Sequence, residues 1–363
     1  MRRSAAAALA AMGAALHTPR PAAADGMVAP VATPPGLYAG SVEERAQEAV
    51  IVFHGSETPG GAVEDLLLKI SVQGDAKAFG WVVPFPAEPA MAKEDPAIFR
   101  ELHDYVEQRL YAGRLKVSVL SGGDRHVPAA PAADEPVEVL VRKVVGIYDI
   151  AVVRENAEGG LEAWLEKERY RKPANAGDVI GFYRKKGYVF ACLKVSDAEL
   201  DQDRPVDLHP VRFTFKTGGR DGIFFPMKMT GLQTAPFDVN LHVFYKAWIN
   251  DRLSKYGYVH RGFRLRYRDW DTPACVPNGG KAWSAPDTDP FLKDLAVRIP
   301  AVAAFFQKRH PGERYYLTTI QASGLKPDDV REWTNDLWLF PYYVDTSFVP
   351  FDARPGGPAA LER

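Results

Sequence analysis

The apolar residues of this chain come in short alternating runs closed by glycine and proline. That pattern restricts the fold to short strands joined by tight turns. Leu66, Leu68, Ile70 and Val72 share one face of an extended segment, and Gly74-Asp75 then turns the chain. AVIVFH (49–54) precedes this segment and FGWVVPF (79–85) follows it. The three predict an antiparallel meander whose last strand lies at a sheet edge, because Pro84 and Pro86 have no N–H to donate. Further strands are expected at 115–120, at 137–153 as a pair around Gly146, and at 187–195, 239–245, 263–269, 315–320 and 337–344. Val211–Lys216 and Ile223–Met229 read as a hairpin across Gly218-Gly219.

Helices are fewer. Asp95-Pro96 places an acid at the N-cap and proline at the first helical position, and Ile98, Phe99, Leu102, Tyr105, Val106 and Leu110 follow at helical spacing. Short helices are expected at 161–170 and 178–185 and after Lys326-Pro327. A longer one should run from Asp289-Pro290 to about Lys308, split or kinked at Pro300. The irregular order of strands and helices predicts an α+β fold of mainly antiparallel sheets with several peripheral helices. LLLKISVQGDAKAFGWVVPFPAEP and VRFTFKTGGRDGIFFPMKMTGLQ echo each other, which leaves two related β-rich subdomains open.

The N-terminus sets a compartment. Arg2 and Arg3, an Ala/Leu-rich run too short to span a bilayer, and Ala22-Ala23-Ala24 form a signal peptide over 1–24, with cleavage expected at Ala24/Asp25. The mature chain is expected to be extracytoplasmic, periplasmic or secreted. One domain should cover 25–350, with a candidate subdivision in the Ala/Pro-rich stretch 122–136 and a flexible tail over 351–363. No later stretch reaches the roughly 18 apolar residues of a membrane span. Lys plus Arg number 45 against 46 Asp plus Glu, which argues against a nucleic-acid partner.

ISVQGDAKAFGWVVPFPAEP followed by DPAIF resembles a bacterial family of exported proteins, domain of unknown function family 2330. ADGMVAP, AVIVFHG, VVGIYDIAVV before LEAWL, GYVFACLKV, and VRFTF leading into FFPMKMT extend the resemblance, in order, from about 24 to 245. The resemblance implies an exported bacterial protein and brings no activity or site residues.

The residues themselves point to no reaction. His54, His103, His126, His209, His242, His260 and His310 are scattered singly, without the close His or Cys pairs of common zinc motifs, so no metal, cofactor or catalytic residue is expected. No GxSxG elbow or phosphate loop occurs. Cys192 and Cys275 are a candidate disulfide in an oxidising compartment, with a buried Cys192 and unpaired Cys275 as the alternative. In FRLRYRDW, strand alternation puts Arg264, Arg266, Arg268 and Trp270 on one face, a candidate patch for an anion or glycan; ion pairing with acids on a neighbouring strand is the favoured account of the arginines, because such pairs are common. The reading is a non-catalytic binding or structural module of the cell envelope, with an envelope protein or anionic glycan as candidate partner. The alternative is an extracytoplasmic hydrolase with a site assembled from scattered residues. Ligand, process and oligomeric state do not follow from the sequence.

Overall fold

The computed structural model describes residues 27–31, 42–54, 61–112, 136–171, 176–196, 199–204, 206–217, 222–245, 263–268, 297–310 and 315–339. Within them the chain is α+β with mainly antiparallel sheets. A five-stranded sheet is built from β1 (Met27–Pro30), β4 (Phe79–Phe85), β8 (Val189–Val195), β7 (Tyr148–Glu155) and β6 (Val137–Val145), in that spatial order. An eight-stranded sheet runs β13 (Arg264–Arg268), β14 (Tyr316–Leu325), β12 (Phe237–Tyr245), β2 (Val42–Phe53), β3 (Val63–Gly74), β10 (Val211–Lys216) and β5 (Ala90–Lys93), with β9 (Val206–Asp207) added against β3. In this larger sheet β12 and β2 pair in parallel and the other neighbours are antiparallel.

The two sheets bury one core between them. Ala49, Ile51 and Phe53 of β2, Leu66, Leu68 and Ile70 of β3, and Leu241 and Val243 of β12 meet Trp81, Val83, Phe85 and Leu193 from the smaller sheet. Phe85 packs its ring on Phe213 and Phe215 at centroid distances of 4.7 and 5.0 Å. The opposite face of the larger sheet carries a second apolar cluster, in which Val50, Val52, Leu67, Phe244 and Leu317 are covered by two helices. These are α1 (Ala97–Ala112), which contributes Ile98, Phe99, Leu102, Tyr105 and Val106, and α4 (Pro300–Arg309), which contributes Val302, Phe305 and Phe306. Strand alternation explains the division: from Ala49 to Phe53 the odd residues of β2 face the core and the even ones face the helices. The remaining helices, α2 (Gly160–Lys167), α3 (Ala176–Arg184), a 3₁₀ turn (Lys228–Leu232) and α5 (Pro327–Arg331), are peripheral.

Most local expectations hold. Asp95 Oδ1 accepts the Ala97 N–H at 2.8 Å and caps α1. Gly146 takes a left-handed φ of 61° in the turn between β6 and β7, where a side chain would also meet the His209 ring. Pro300 stands at the first turn of α4, directly after a break at Ile299. Two pairings differ. The predicted meander ends after β2 and β3, because β4 crosses to the other sheet and pairs with β1 and β8. β4 is also not the expected edge strand, since it lies between β1 and β8, and the described part of β1 pairs with it as far as Val82. The predicted 211–229 hairpin also does not form. β11 (Ile223–Phe225) pairs with β15 (Leu337–Leu339) in a separate two-stranded ribbon. The two segments that echo each other in sequence thus share a crossing from the large sheet to another sheet, and β3 and β10 are neighbours within it. The signal segment 1–24, the strand at 115–120 and the stretch 351–363 lie outside the described residues, as does all but Pro136 of the candidate subdivision. No described helix is long and apolar enough to cross a membrane.

Candidate functional site

The helix-covered face of the large sheet carries polar side chains at both ends of its apolar stripe. At one end, alternation from Val50 and Val52 puts His54 on this face, and its N–H continues the ladder by donating to the Val63 carbonyl at 2.9 Å. Asp65 lies across from Val52 on one side and Thr214 on the other, so its carboxylate enters the same corner. His310 arrives from above. Glu101 of α1 accepts the Ala301 and Val302 N–H groups at 2.8 and 3.0 Å, placing a carboxylate on the N-terminus of α4. The helix then ends with His310 as its non-helical C-cap. Tyr315, fully buried just before β14, closes the corner from below.

These groups converge. His310 Nε2 is 3.3 Å and His54 Nε2 3.6 Å from Asp65 Oδ2, and the two imidazole centroids are 4.5 Å apart. One ligand atom from each of His54, Asp65 and His310 lies within 4.8 Å of the others, a spacing that could hold a metal ion. The other carboxylate oxygen, Oδ1, accepts from Arg212 Nη1 at 3.0 Å and from the Thr214 hydroxyl. Arg212 Nε donates to Glu94 Oε1 at 2.8 Å, and Arg309 Nη2 reaches the same oxygen at 3.3 Å. Tyr315 Oη is 3.2 Å from His54 Nδ1. The corner is closed: Asp65 and His310 side chains are 6% and 3% exposed, and His54, at 19%, forms its more open side. Burial pulls the Asp65 carboxyl up, but the contacts from His310, His54 and Thr214 and the charge of Arg212 outweigh it and hold it well below the usual range. Burial lowers the pKa of His310, and neighbouring His54 and Arg212 add to this against the pull of Asp65. His310 Nε2 is buried without a hydrogen-bond partner.

At the other end of the stripe a second histidine is fully engaged. His242 Nδ1 is 3.0 Å from Thr319 Oγ1, and its Nε2 is 3.2 Å from Asn240 Nδ2 and 3.8 Å from Glu48 Oε1. Lys69 bridges Glu48 and Asp207 at 3.1 and 2.9 Å, and Asp207 also accepts from Ser71.

The residues singled out in the sequence fall elsewhere. Arg266 is on β13, where a bulge shifts the register between Leu265 and Tyr267. Its guanidinium is held by Glu107 of α1 and by Gln321 Oε1 at 3.3 Å. The side chains of Arg264 and Arg268, and Trp270 altogether, lie outside the described residues. Cys192 is buried in the middle of β8 and forms no disulfide among the described residues, and burial raises the pKa of its thiol. Cys275 lies outside the described residues. The sequence search by close spacing passes over His54, Asp65 and His310, because strand pairing and the end of α4 bring them together from distant parts of the chain. The legible signal is Asp65 itself, an acid that directly precedes the apolar run Leu66–Leu68 of β3 and shares the face of Leu67.

A family model described as "Uncharacterized protein conserved in bacteria (DUF2330)" matches residues 44–332. No match is found among the curated proteins. The crystal structure of baculovirus P35 is similar over 78% of this chain and 92% of its own, with 7% identity and a TM-score of 0.33, too low to carry an argument.

Proposed function

The chain belongs to the uncharacterized bacterial family DUF2330, and from that premise we propose that it is an exported, non-catalytic binding or structural module whose ligand site is the His54–Asp65–His310 corner. The observation that carries this reading is the convergence of three ligand-type groups, with Nε2 of His310 and of His54 both turned to Oδ2 of Asp65 at 3.3 and 3.6 Å in a buried corner. At the neighbouring sheet end both ring nitrogens of His242 have hydrogen-bonding neighbours at 3.0 and 3.2 Å, whereas Nε2 of His310 faces only the shared Asp65 oxygen. The closure of the corner favours holding a small species over turning over a large substrate. Export rests on Arg2, Arg3, the Ala-rich run and Ala22–Ala24. N-terminal sequencing of the chain recovered from a bacterial envelope fraction is expected to begin at Asp25; an intact Met1 on a cytoplasmic protein would remove the export part of the reading.

The binding part is tested by a thermal-shift panel of divalent metals, inorganic anions, acidic glycans and peptidoglycan fragments on the full chain. A ligand that binds only the native state raises the melting temperature in a saturable way. The expected result is a shift with at least one compound that is abolished by His310→Ala. Shifts that survive the substitution, or none at all, overturn the assignment of the site.

A further inference from the structure

We infer that the occupant of this corner is a single divalent transition-metal ion in tetrahedral coordination, zinc by preference, with His54 Nε2, Asp65 Oδ2 and His310 Nε2 as its protein ligands. The inference rests on the ligand-site reading above and names the ligand. Two donors bound to zinc at about 2.0–2.1 Å in a tetrahedron lie about 3.4 Å apart, whereas neighbouring donors of an octahedron at that bond length lie about 3.0 Å apart. The carboxylate-to-imidazole separations are 3.3 and 3.6 Å, nearer the tetrahedral value, and all three donor atoms lie within 4.8 Å of one another, so that binding draws the two imidazoles together.

The supporting contacts divide the work as a metal site needs. Arg212 and Thr214 occupy Oδ1 of Asp65, which leaves Oδ2 turned toward both imidazoles. Tyr315 Oη engages Nδ1 of His54, so that ring is oriented through its far nitrogen and presents Nε2 to the centre. His310 is fixed by ring contacts with His54, Phe306 and Tyr315 at centroid distances of 4.5, 5.6 and 5.7 Å. Glu94, bonded to both Arg212 and Arg309, offsets the positive charge standing behind Asp65. Two imidazoles and one carboxylate suit zinc and its neighbours better than calcium or magnesium, which take oxygen ligands. Ion pairing is a poorer account of the cluster. Arg212 already pairs with Oδ1 of Asp65, and burial disfavours a charged His310, so charge pairing does not account for two imidazoles turned to Oδ2. Three protein ligands leave the fourth position to a molecule from solution, on the more open side at His54.

The test is calorimetric titration of the chelator-treated full chain with Zn2+, together with the visible spectrum of the Co2+-loaded chain. One ion per chain is expected, with the intense d–d absorption of tetrahedral cobalt. His310→Ala and, separately, the more exposed His54→Ala should each weaken Zn2+ binding on the order of 100-fold or more while circular dichroism shows an intact fold. Binding unchanged in both folded variants, or the faint spectrum of octahedral cobalt, overturns the inference. If no metal binds but another compound of the panel gives a shift that depends on His310, the metal is wrong and the site stands. If nothing depends on His310, both fall.

Discussion

The two ends of the helix-covered stripe invite comparison, because each sets a histidine beside a carboxylate and a strong cation. At the His242 end both ring nitrogens lie within hydrogen-bond reach of a neighbour, and Glu48 is matched by Lys69, which is shared with Asp207. At the His310 end the carboxylate is matched by Arg212, but the imidazole nitrogen facing it has no hydrogen bond. Both corners are built from the same alternating face of the same sheet, so strand geometry does not cause the difference. It arises from the covering element. Thr319 is the cross-strand partner of His242 and Asn240 lies two residues away on the same strand face, whereas His310 is delivered by the end of a helix.

The largest expected effect separates the ends through their cations. Asp65→Ala leaves Arg212 buried with only Glu94 and Thr214, and denaturant unfolding should show a loss of about 3–5 kcal/mol. Glu48→Ala should cost clearly less, because Lys69 keeps Asp207; equal losses would mean that the two ends are electrostatically alike. Leu67→Ala, between Asp65 and Lys69 on the same strand face, removes apolar packing that both ends share and should cost about 2–5 kcal/mol.

Acid sharpens the contrast at Glu48. Burial raises its pKa, but the His242 hydrogen bond and the charge of Lys69 outweigh this and lower it from the ordinary 4.5 to about 2. A folded-state pKa below the unfolded one stabilises the protein above pH 4.5, and that stabilisation drains away as pH falls toward 2. The interval corresponds to about 3 kcal/mol at most. Glu48→Gln should flatten stability against pH across this window, and an unchanged slope would remove Glu48 from the account.

The smallest effect concerns the rings. His242→Leu strands Thr319 and Asn240 and should cost about 1–3 kcal/mol. His310→Leu gives up a single 3.3 Å contact to an Asp65 that keeps Arg212, Thr214 and His54, and should cost less, about 1 kcal/mol in metal-free protein. Equal costs in paired melting curves would show that the His310 corner is as satisfied as its counterpart.

Local signals were legible wherever a few consecutive residues decide the outcome. The Asp95-Pro96 cap, the turn at Gly146, the break before Pro300 and the alternation of Leu66 to Val72 were all readable, because capping, φ restriction and the two-residue period act within one or two turns of chain. The destinations of β4 and β11 were not. A strand buried on both faces, such as FGWVVPF, has no polar side to say which neighbour it prefers, and a Gly-rich turn serves a hairpin and a sheet crossing equally well. The arginine run on β13 was visible, but the bulge at Leu265/Tyr267 and the capture of Arg266 by Glu107 depend on where α1 lies.

The sequence by itself determined the α+β class, the antiparallel bias, the family and the individual elements that carry His54, Asp65 and His310, since these follow from periodicity, turn chemistry and ordered motifs. Only the tertiary structure decided that the three side chains meet. Their contact depends on the β2–β3 register, on Glu101 anchoring the start of α4, and on the helix length that sets its last residue over Asp65. Such contacts between distant residues leave no local pattern, because their free energy appears only once the intervening layers have packed.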